Sequence, residues 1–395
     1  MPATRDWPSD EAAIAQLLPG TGSATARPQL LARIAEYSSA VVLEARTLGP
    51  VVPSGAECVA ALEWLQRPGL ICGHQRSGTT LLQSLLDGHP QLLVLPSEGS
   101  YFTSFAYVAR SAPTDRARDR FAAEWISRFI DPNFPPHFRL GRSADGRNPG
   151  VAFVRTLFGW CEALRNGAAP ELVTLLALAA AFRATTAPTG APQLWVEKTP
   201  QNESYAHRFG SLPGARFVHV VRDPRATLAS LAEIYRKNGI GTFDAAQHAR
   251  AIGRSLQLAL TNRARFGSRY LVVRYEDLIA EPERQIEVVR NFFGIAPHET
   301  LLMPTAGGRA VRSNSSFLPG APGLVESRRP GIVPPEHERL LGVFAARAAS
   351  TFGYEIDAPR PLKRAVLLLR HWPRHALRSS RAPLRGLILA ATRRR

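Results

Sequence analysis

The segment Gly73-His74-Gln75-Arg76-Ser77-Gly78-Thr79-Thr80 carries the chemistry most directly readable in this chain. It follows the apolar run Leu70-Ile71-Cys72 and opens the apolar-periodic stretch Leu81-Leu82-Gln83-Ser84-Leu85-Leu86, so it reads as strand, glycine-spaced loop, helix. Two glycines at this spacing let the backbone curl until its N–H groups and the following helix N-terminus face one anion, as in a phosphate-binding P-loop. The lysine that serves the β- and γ-phosphates of a nucleoside triphosphate is missing. Thr79 stands in its slot, and the cation, Arg76, comes three places earlier. Such a loop suits a nucleotide with a different reactive group.

Further candidates lie at the ends of apolar runs. Glu197-Lys198-Thr199-Pro200 ends a strand at Leu194-Trp195-Val196, and Phe217–Val221 runs into Arg222-Asp223-Pro224. In open α/β sheets ligands sit outside the carboxyl ends of the strands, which places Lys198 and Arg222 near the same edge as the loop. Asp223 followed by Pro224 reads as a helix cap with proline in the first turn, not as a metal-binding acid. An arginine fork at Arg222 and a hydroxyl at Ser230, two helical turns on, suit a second phosphate. Glu98 follows Leu92–Leu95 and Pro96-Ser97, where a carboxylate could take a proton from a hydroxyl; His74, inside the loop, competes for that role. Taken singly, each of these is as readily a surface lysine, a surface arginine, an ordinary helix serine, a solvated glutamate or a loop-bracing histidine.

The elements that must position these residues are short continuous apolar runs, as expected of strands covered on both faces: Leu70–Cys72, Leu92–Leu95, Leu194–Val196, Phe217–Val221 and Tyr270–Val273. Helical patterns separate them, so the expected fold is α/β with a mainly parallel central sheet. Residues 1–66 read as an N-terminal helical segment with a loop over Gly20–Pro28. The domain proper spans 67–358, and 359–395 form a basic C-terminal tail. Within the domain, about 101–190 has no clear strand. Phe121–Ile130 and Leu172–Phe182 look helical, Asp131–Pro136 and Gly141–Gly150 look like loops, and the whole is expected to be an inserted helical cap lining an acceptor site.

In order, a lysine-less P-loop, Glu98, Glu197-Lys198-Thr199-Pro200, Arg222 with Ser230, and Tyr275-Glu276-Asp277-Leu278 resemble the PAPS-dependent sulfotransferases, PAPS being 3′-phosphoadenosine 5′-phosphosulfate. The resemblance covers roughly residues 67–358. It is closest to the bacterial branch related to tyrosylprotein and carbohydrate sulfotransferases, with Arg-Ser-Gly-Thr-Thr in the loop. It implies a P-loop three-layer fold and metal-independent, in-line transfer of a sulfuryl group to a hydroxyl or amine acceptor: a glycan, lipid, peptide or small molecule. It further implies that Arg76, Ser77, Gly78, Thr79 and Thr80 bind the 5′-phosphosulfate and that Arg222 and Ser230 bind the 3′-phosphate. Lys198 would meet charge on the bridging oxygen, Glu98 would be the base, and Tyr275 would lie near the adenosine. Ser313-Asn314-Ser315-Ser316 and Arg328-Arg329 resemble the late loop that closes over the nucleotide. The competing readings are a P-loop kinase or nucleoside triphosphatase, which the absent loop lysine disfavours, and a non-catalytic nucleotide-binding membrane adaptor, which Glu98 and Lys198 disfavour.

Bulk properties bound the rest. The chain has 395 residues, 45% of them hydrophobic, enough for a sizeable core. Its net charge is +17, but residues 359–395 hold eleven Lys or Arg and no acid, leaving only +6 elsewhere, so the charge is not a nucleic-acid signature. The tail mixes basic and apolar clusters around Trp372, as an anionic membrane surface would require and a solvated extension would equally permit. Cys58, Cys72 and Cys161 fit no metal spacing and read as reduced thiols, so the chain is expected to be cytoplasmic, with peripheral contact at the inner membrane surface open to the tail.

Overall fold

The computed structural model describes residues 26–105, 114–131, 140, 148–186, 191–238, 241–311, 333–361 and 365–367. The expected late-loop residues, Ser313–Ser316 and Arg328-Arg329, and the tail from residue 368 onward lie outside them.

In chain order, α1 (Ala26–Leu48) and α2 (Gly55–Leu65) lead into β1 (Pro68–Cys72), the loop, α3 (Thr79–Leu86) and β2 (Leu92–Val94). Then come α4 (Thr114–Ile130), α5 (Pro149–Ala163), α6 (Val173–Thr186), β3 (Leu194–Lys198), a 3-10 segment (Asn202–Ser211) and β4 (Arg216–Val221). The chain continues through α7 (Pro224–Asn238), α8 (Ala245–Phe266), β5 (Tyr270–Arg274), α9 (Tyr275–Ala280), α10 (Pro282–Phe293), a small hairpin of β6 (Thr305–Ala306) and β7 (Arg309–Ala310), α11 (Pro335–Phe344) and α12 (Ala346–Ser350). Among the described residues five strands form one sheet, in the order β2-β3-β1-β4-β5, and every pair is parallel. The fold is α/β, with a parallel sheet between helical layers.

The apolar runs explain this layering. Alternate residues of one strand point to opposite faces. Leu70, Cys72, Leu93, Trp195 and Phe217 join α1, α2, α4, α5 and α6 in one core. Their neighbours Ile71, Leu92, Val94, Leu194, Val196 and Val218 join α3 and α10 in a second. Burying each such side chain contributes about 1.5–3 kcal/mol, so both faces must be covered. The helices of 101–190 thus share a core with the sheet. A third cluster packs α7, α8, α11 and α12 together.

Local signals set the boundaries. Ser54 and Glu57 form a reciprocal capping box on α2. Pro28 falls within the first turn of α1, where its missing N–H has no helical partner to lose, so the last residues of the expected Gly20–Pro28 loop are helical, residues 20–25 lying outside the described ones. Pro149 and Gly150 likewise open α5, capped by Asn148, whose side chain accepts from the Gly150 N–H. Helix α5 lies partly inside the stretch Gly141–Gly150 that the turn residues mark as loop, because Pro149 and Gly150 are placed in its first turn. Strand β3 continues through Glu197 and Lys198, which pair with Leu70 and Ile71 of β1, because backbone pairing and not apolarity decides where a strand stops.

The chain leaves β1 toward β2 and β3 on one side and adds β4 and β5 on the other. The crevice at the carboxyl end of β1 is therefore the topological switch point where α/β sheets bind ligands. The loop at Gly73 starts there, with Lys198 and Arg222 closing the strands on its two flanks.

Helix α8 packs so closely on the end of α11 that a Cβ at Gly253 would stand 2.2 Å from the Phe344 carbonyl oxygen. Gly253→Ala should therefore destabilise the protein by about 1–3 kcal/mol through overpacking. A thermal melt checks this, and an unchanged midpoint would show that the two helices can part without cost.

Candidate active site

The loop is built by glycines in conformations that side chains avoid. Gly73 has φ 136°, and a Cβ there would lie 2.5 Å from the Val220 carbonyl oxygen of β4; Gly78 has φ 102°. A Cβ at Gly78 would come 2.3 Å from the Tyr275 ring. Arg76 itself sits at φ 69°. The hydroxyl and N–H of Ser77 both donate to the His74 carbonyl oxygen, at 2.7 and 3.1 Å, closing the turn. Gly78, as N-cap, leaves the first N–H groups of α3 without helical partners, so they face the mouth of the loop. Thr80 is exposed in that first turn and Thr79 is buried.

Around the loop the arginines converge. Arg76 donates from Nε to the Ser230 hydroxyl at 3.0 Å, which ties the loop to α7. Arg222 donates from Nη1 to the Arg76 carbonyl oxygen at 2.9 Å, and its guanidinium lies 4.4 Å over the Tyr275 ring. Its Nε is buried with no partner among the described residues. Burial first, and the charge of Arg222 second, pull the Arg76 pKa below its ordinary value. Neither arginine has a carboxylate partner among the described residues. Two cations held beside N–H groups, with nothing to neutralise them, form a site that favours an anion. Tyr275 is buried: its ring fills the space between Gly78 and Arg222 and braces both.

On the other flank Lys198 Nζ and Glu98 Oε1 are 2.8 Å apart, with the lysine side chain 5% exposed and the glutamate 43%. The segment carrying Glu98 is fastened from two directions. Arg128 of α4 donates to the Glu98 carbonyl oxygen. The Gly99 N–H donates to Glu197 Oε1 at 2.8 Å, and the Ser100 N–H to the Thr199 hydroxyl at 2.9 Å. Glu197 also accepts from the Thr199 hydroxyl and the Asn202 amide, yet burial outweighs these bonds and raises its pKa.

Behind the loop runs a polar network that the sequence did not disclose. Glu203 accepts from the Gly73 N–H at 3.0 Å and from the Ser255 hydroxyl at 2.6 Å. His219 is within hydrogen-bond distance of Ser255 (3.3 Å) and of the Tyr270 hydroxyl (2.8 Å). Asn262 donates to the Glu203 carbonyl oxygen at 2.8 Å. These residues come from four elements far apart in sequence, so no spacing rule connects them. His74 is buried, its Nδ1 directed at the Gln75 carbonyl oxygen at 2.9 Å, and burial lowers its pKa, which keeps the ring neutral. A cavity of about 340 Å³ opens beside this network, lined by Gln201, Ser204, Gln247, Arg250 and Arg254 among others.

The structure thus brings Arg76, Ser77, Gly78, Thr79 and Thr80 to one mouth with Arg222, Ser230 and Tyr275 on one side. Lys198 and Glu98 close the other. Asp223 is the cap of α7 the sequence implied, accepting from the Arg225 N–H at 2.8 Å. Among the described residues no group of His, Cys, Asp and Glu is arranged to hold a metal ion.

A glycine-built anion loop at the switch point of a parallel sheet defines a P-loop α/β protein. The model of the sulfotransferase family matches residues 68–299, more than half of the chain, and the protein belongs to that family of transferases. The chain is also similar to solved bacterial sulfotransferase structures. The sulfotransferase domain of the Synechococcus PCC 7002 olefin synthase is 20% identical, covers 73% of this chain and 96% of its own, and has a TM-score of 0.44. The sulfotransferase domain of the curacin biosynthetic pathway is 18% identical, with 73% and 98% covered and a TM-score of 0.43. A Mycobacterium avium sulfotransferase is 15% identical, with 76% and 86% covered and a TM-score of 0.36. No curated protein sequence matches the chain.

His219 is fully buried, and desolvation holds its pKa below the ordinary 6.5. Below that value the unfolded chain takes up a proton that native His219 refuses, so stability is complete above about pH 6.5 and falls as pH drops, by up to about 1.4 kcal/mol per unit. Across pH 7 to 5, His219→Asn should therefore show a shallower loss in chemical denaturation than the wild type. Equal slopes would mean that native His219 titrates normally.

Proposed function

We propose that this sulfotransferase takes its sulfuryl group from PAPS and delivers it to an acceptor hydroxyl. The observation that carries this reading is the pair of arginines, Arg76 and Arg222, set beside the loop with no carboxylate partner among the described residues, Arg76 bonding the Ser230 hydroxyl and Arg222 the Arg76 carbonyl oxygen. The loop N–H groups and Arg76 fit a 5′-phosphosulfate. Arg222 and Ser230, two helical turns further along in α7, fit a separate 3′-phosphate, the group that distinguishes PAPS from ordinary adenine nucleotides. A kinase-like reading lacks support here, because the loop has no lysine to meet a γ-phosphate.

The donor supplies a sulfur bonded to a good leaving oxygen, and the chain's residues do the rest. Glu98 takes the proton of the acceptor hydroxyl, whose oxygen forms the new bond to sulfur as the bond from sulfur to the bridging phosphate oxygen breaks. The electron pair of that bond leaves with adenosine 3′,5′-bisphosphate. Lys198 has three N–H donors, so it can keep one on Glu98 and direct another to the oxygen that gains charge. The deep burial of its stem holds it there. Arg76 and the α3 N-terminus meet the remaining charge, and no residue requires a divalent ion for this.

Two measurements test the reading. Calorimetry should show adenosine 3′,5′-bisphosphate binding far more tightly than ADP, unaffected by EDTA, and Arg222→Ala should erase that preference by removing a charge-assisted contact worth about 1.5–3 kcal/mol. Equal affinity for the two nucleotides in the wild type would remove the 3′-phosphate site.

Steady-state kinetics divide the flanking pair. Lys198→Ala should lower kcat with little change in nucleotide affinity, since the charge it meets develops in the transition state. Glu98→Gln should abolish transfer while bisphosphate still binds. If Glu98→Gln stays active and His74→Ala does not, the base is His74.

A further inference from the structure

Two buried carboxylates, Glu197 and Glu203, stand six residues apart on the segment that links β3 to the 3-10 turn, and each holds one glycine N–H of the site. Glu197 Oε1 accepts from Gly99, the residue after Glu98, at 2.8 Å. Glu203 Oε2 accepts from Gly73, the first residue of the loop, at 3.0 Å. Between them the Gln201 N–H donates to the Gly73 carbonyl oxygen at 3.1 Å, with Gln201 in the left-handed region at φ 74°. The same segment carries Lys198 and, through Thr199, holds the Ser100 N–H.

We propose that Glu197 and Glu203 are positioning residues that make this segment a rigid spacer between the donor loop and the acceptor base. Glu203 fixes where the nucleotide loop begins, Glu197 fixes where Glu98 is presented, and the short chain between them sets the separation of the two. The inference rests on the donor and base assignments above, but the contacts themselves do not.

The geometry says what each carboxylate supplies. Glu197 uses one oxygen for both Gly99 and Thr199 and the other for the Asn202 amide. A glutamine could keep its oxygen on Gly99 while Asn202 turns its own oxygen to face the new amide. Glu203 uses one oxygen for Gly73 and the other for the Ser255 hydroxyl, which can accept as well as donate. Both sites therefore need an acceptor atom in place and not a negative charge. A carboxylate directly behind an anion-binding loop would otherwise oppose the ligand, so its function there is to aim an N–H. The approach is also sterically tight, since a Cβ at Gly99 would lie 2.6 Å from Glu197 Oε1.

The test compares amide and thioether substitutions of similar length in the full chain. Glu197→Met should lower kcat by about 100-fold, the scale of a displaced catalytic group, while the Kd for adenosine 3′,5′-bisphosphate stays within about twofold. Glu203→Met should weaken that Kd by about tenfold. Glu197→Gln and Glu203→Gln should each restore near-wild-type values. Amide hydrogen exchange supplies a readout independent of catalysis: Glu197→Met should speed exchange at Gly99, Glu203→Met at Gly73, neither at the other glycine.

Glutamine variants as damaged as the methionine ones would overturn the proposal by showing that charge is required. Methionine variants that leave both exchange rates unchanged, or raise both together, would overturn it as well. If a methionine variant loses its cooperative melt, Asn202→Ala and Ser255→Ala decide, since each takes from one carboxylate its second partner without removing the carboxylate; unchanged exchange at Gly99 and Gly73 respectively would count against the spacer. Were the wild type to bind no adenosine bisphosphate, the donor assignment would fail while the exchange data still judged the spacer.

Discussion

Everything at this site depends on holding a stretch of backbone open so that its N–H groups point outward at an anion instead of inward at one another. That is unfavourable for an isolated chain. Gly73 and Gly78 take up φ values that other residues avoid, and Arg76 does so without the freedom of glycine. The surroundings enforce it. Val220 of β4 crowds Gly73, the Tyr275 ring crowds Gly78, and Glu203, Gln201 and Arg222 take the backbone groups of Gly73 and Arg76. Because a parallel sheet brings strand ends from distant sequence to one edge, these supports come from the ends of three strands, β3, β4 and β5.

The electrostatics follow from the same constraint. Arg76 and Arg222 repel each other and are partly withdrawn from water, an arrangement that costs stability until an anion arrives. The nearby carboxylates do not relieve it. Glu98 is engaged with Lys198, Glu203 with Gly73 and Ser255, and Glu197 with Gly99, Thr199 and Asn202. Each acid is engaged by backbone N–H groups, hydroxyls, an amide or the lysine, and among the described residues none pairs with either arginine, so the positive field at the loop mouth survives beside two buried glutamates. The two flanks thus stay separate in charge: an arginine side that favours anions and a lysine–carboxylate side.

The helical layer contributes more than cover. Arg128, on α4 of the inserted region, grips the carbonyl of Glu98, while Tyr101 and Phe102 just beyond it pack against Phe121, Tyr205 and Phe209. The segment bearing Glu98 is therefore set by the sheet from below and by the insertion from the side. Changes in the inserted helices can therefore move Glu98, the proposed base, without touching the loop at Gly73, which is one physical route by which a shared fold could accommodate different acceptors.

The sequence by itself determined the five strands, the lysine-less loop and the candidates Arg76, Glu98, Lys198, Arg222, Ser230 and Tyr275. These signals are local: continuous apolar runs, glycine spacing and a cation or acid at a strand end. It also determined the family, through the order in which those signals recur. It misplaced the start of α1 at Pro28, the opening of α5 and the end of β3, since first-turn prolines and backbone pairing override apolarity at boundaries. Only the tertiary structure decided that Tyr275 is a buried brace, that Ser77 closes its own turn, and that Glu203, Ser255, His219 and Asn262 stand behind the loop. Apart from the Ser77 turn, those roles depend on contacts between residues far apart in sequence, 130 positions for Gly73 with Glu203. No periodicity or spacing encodes such pairs, because the sheet order that brings them together is set by packing over the whole chain.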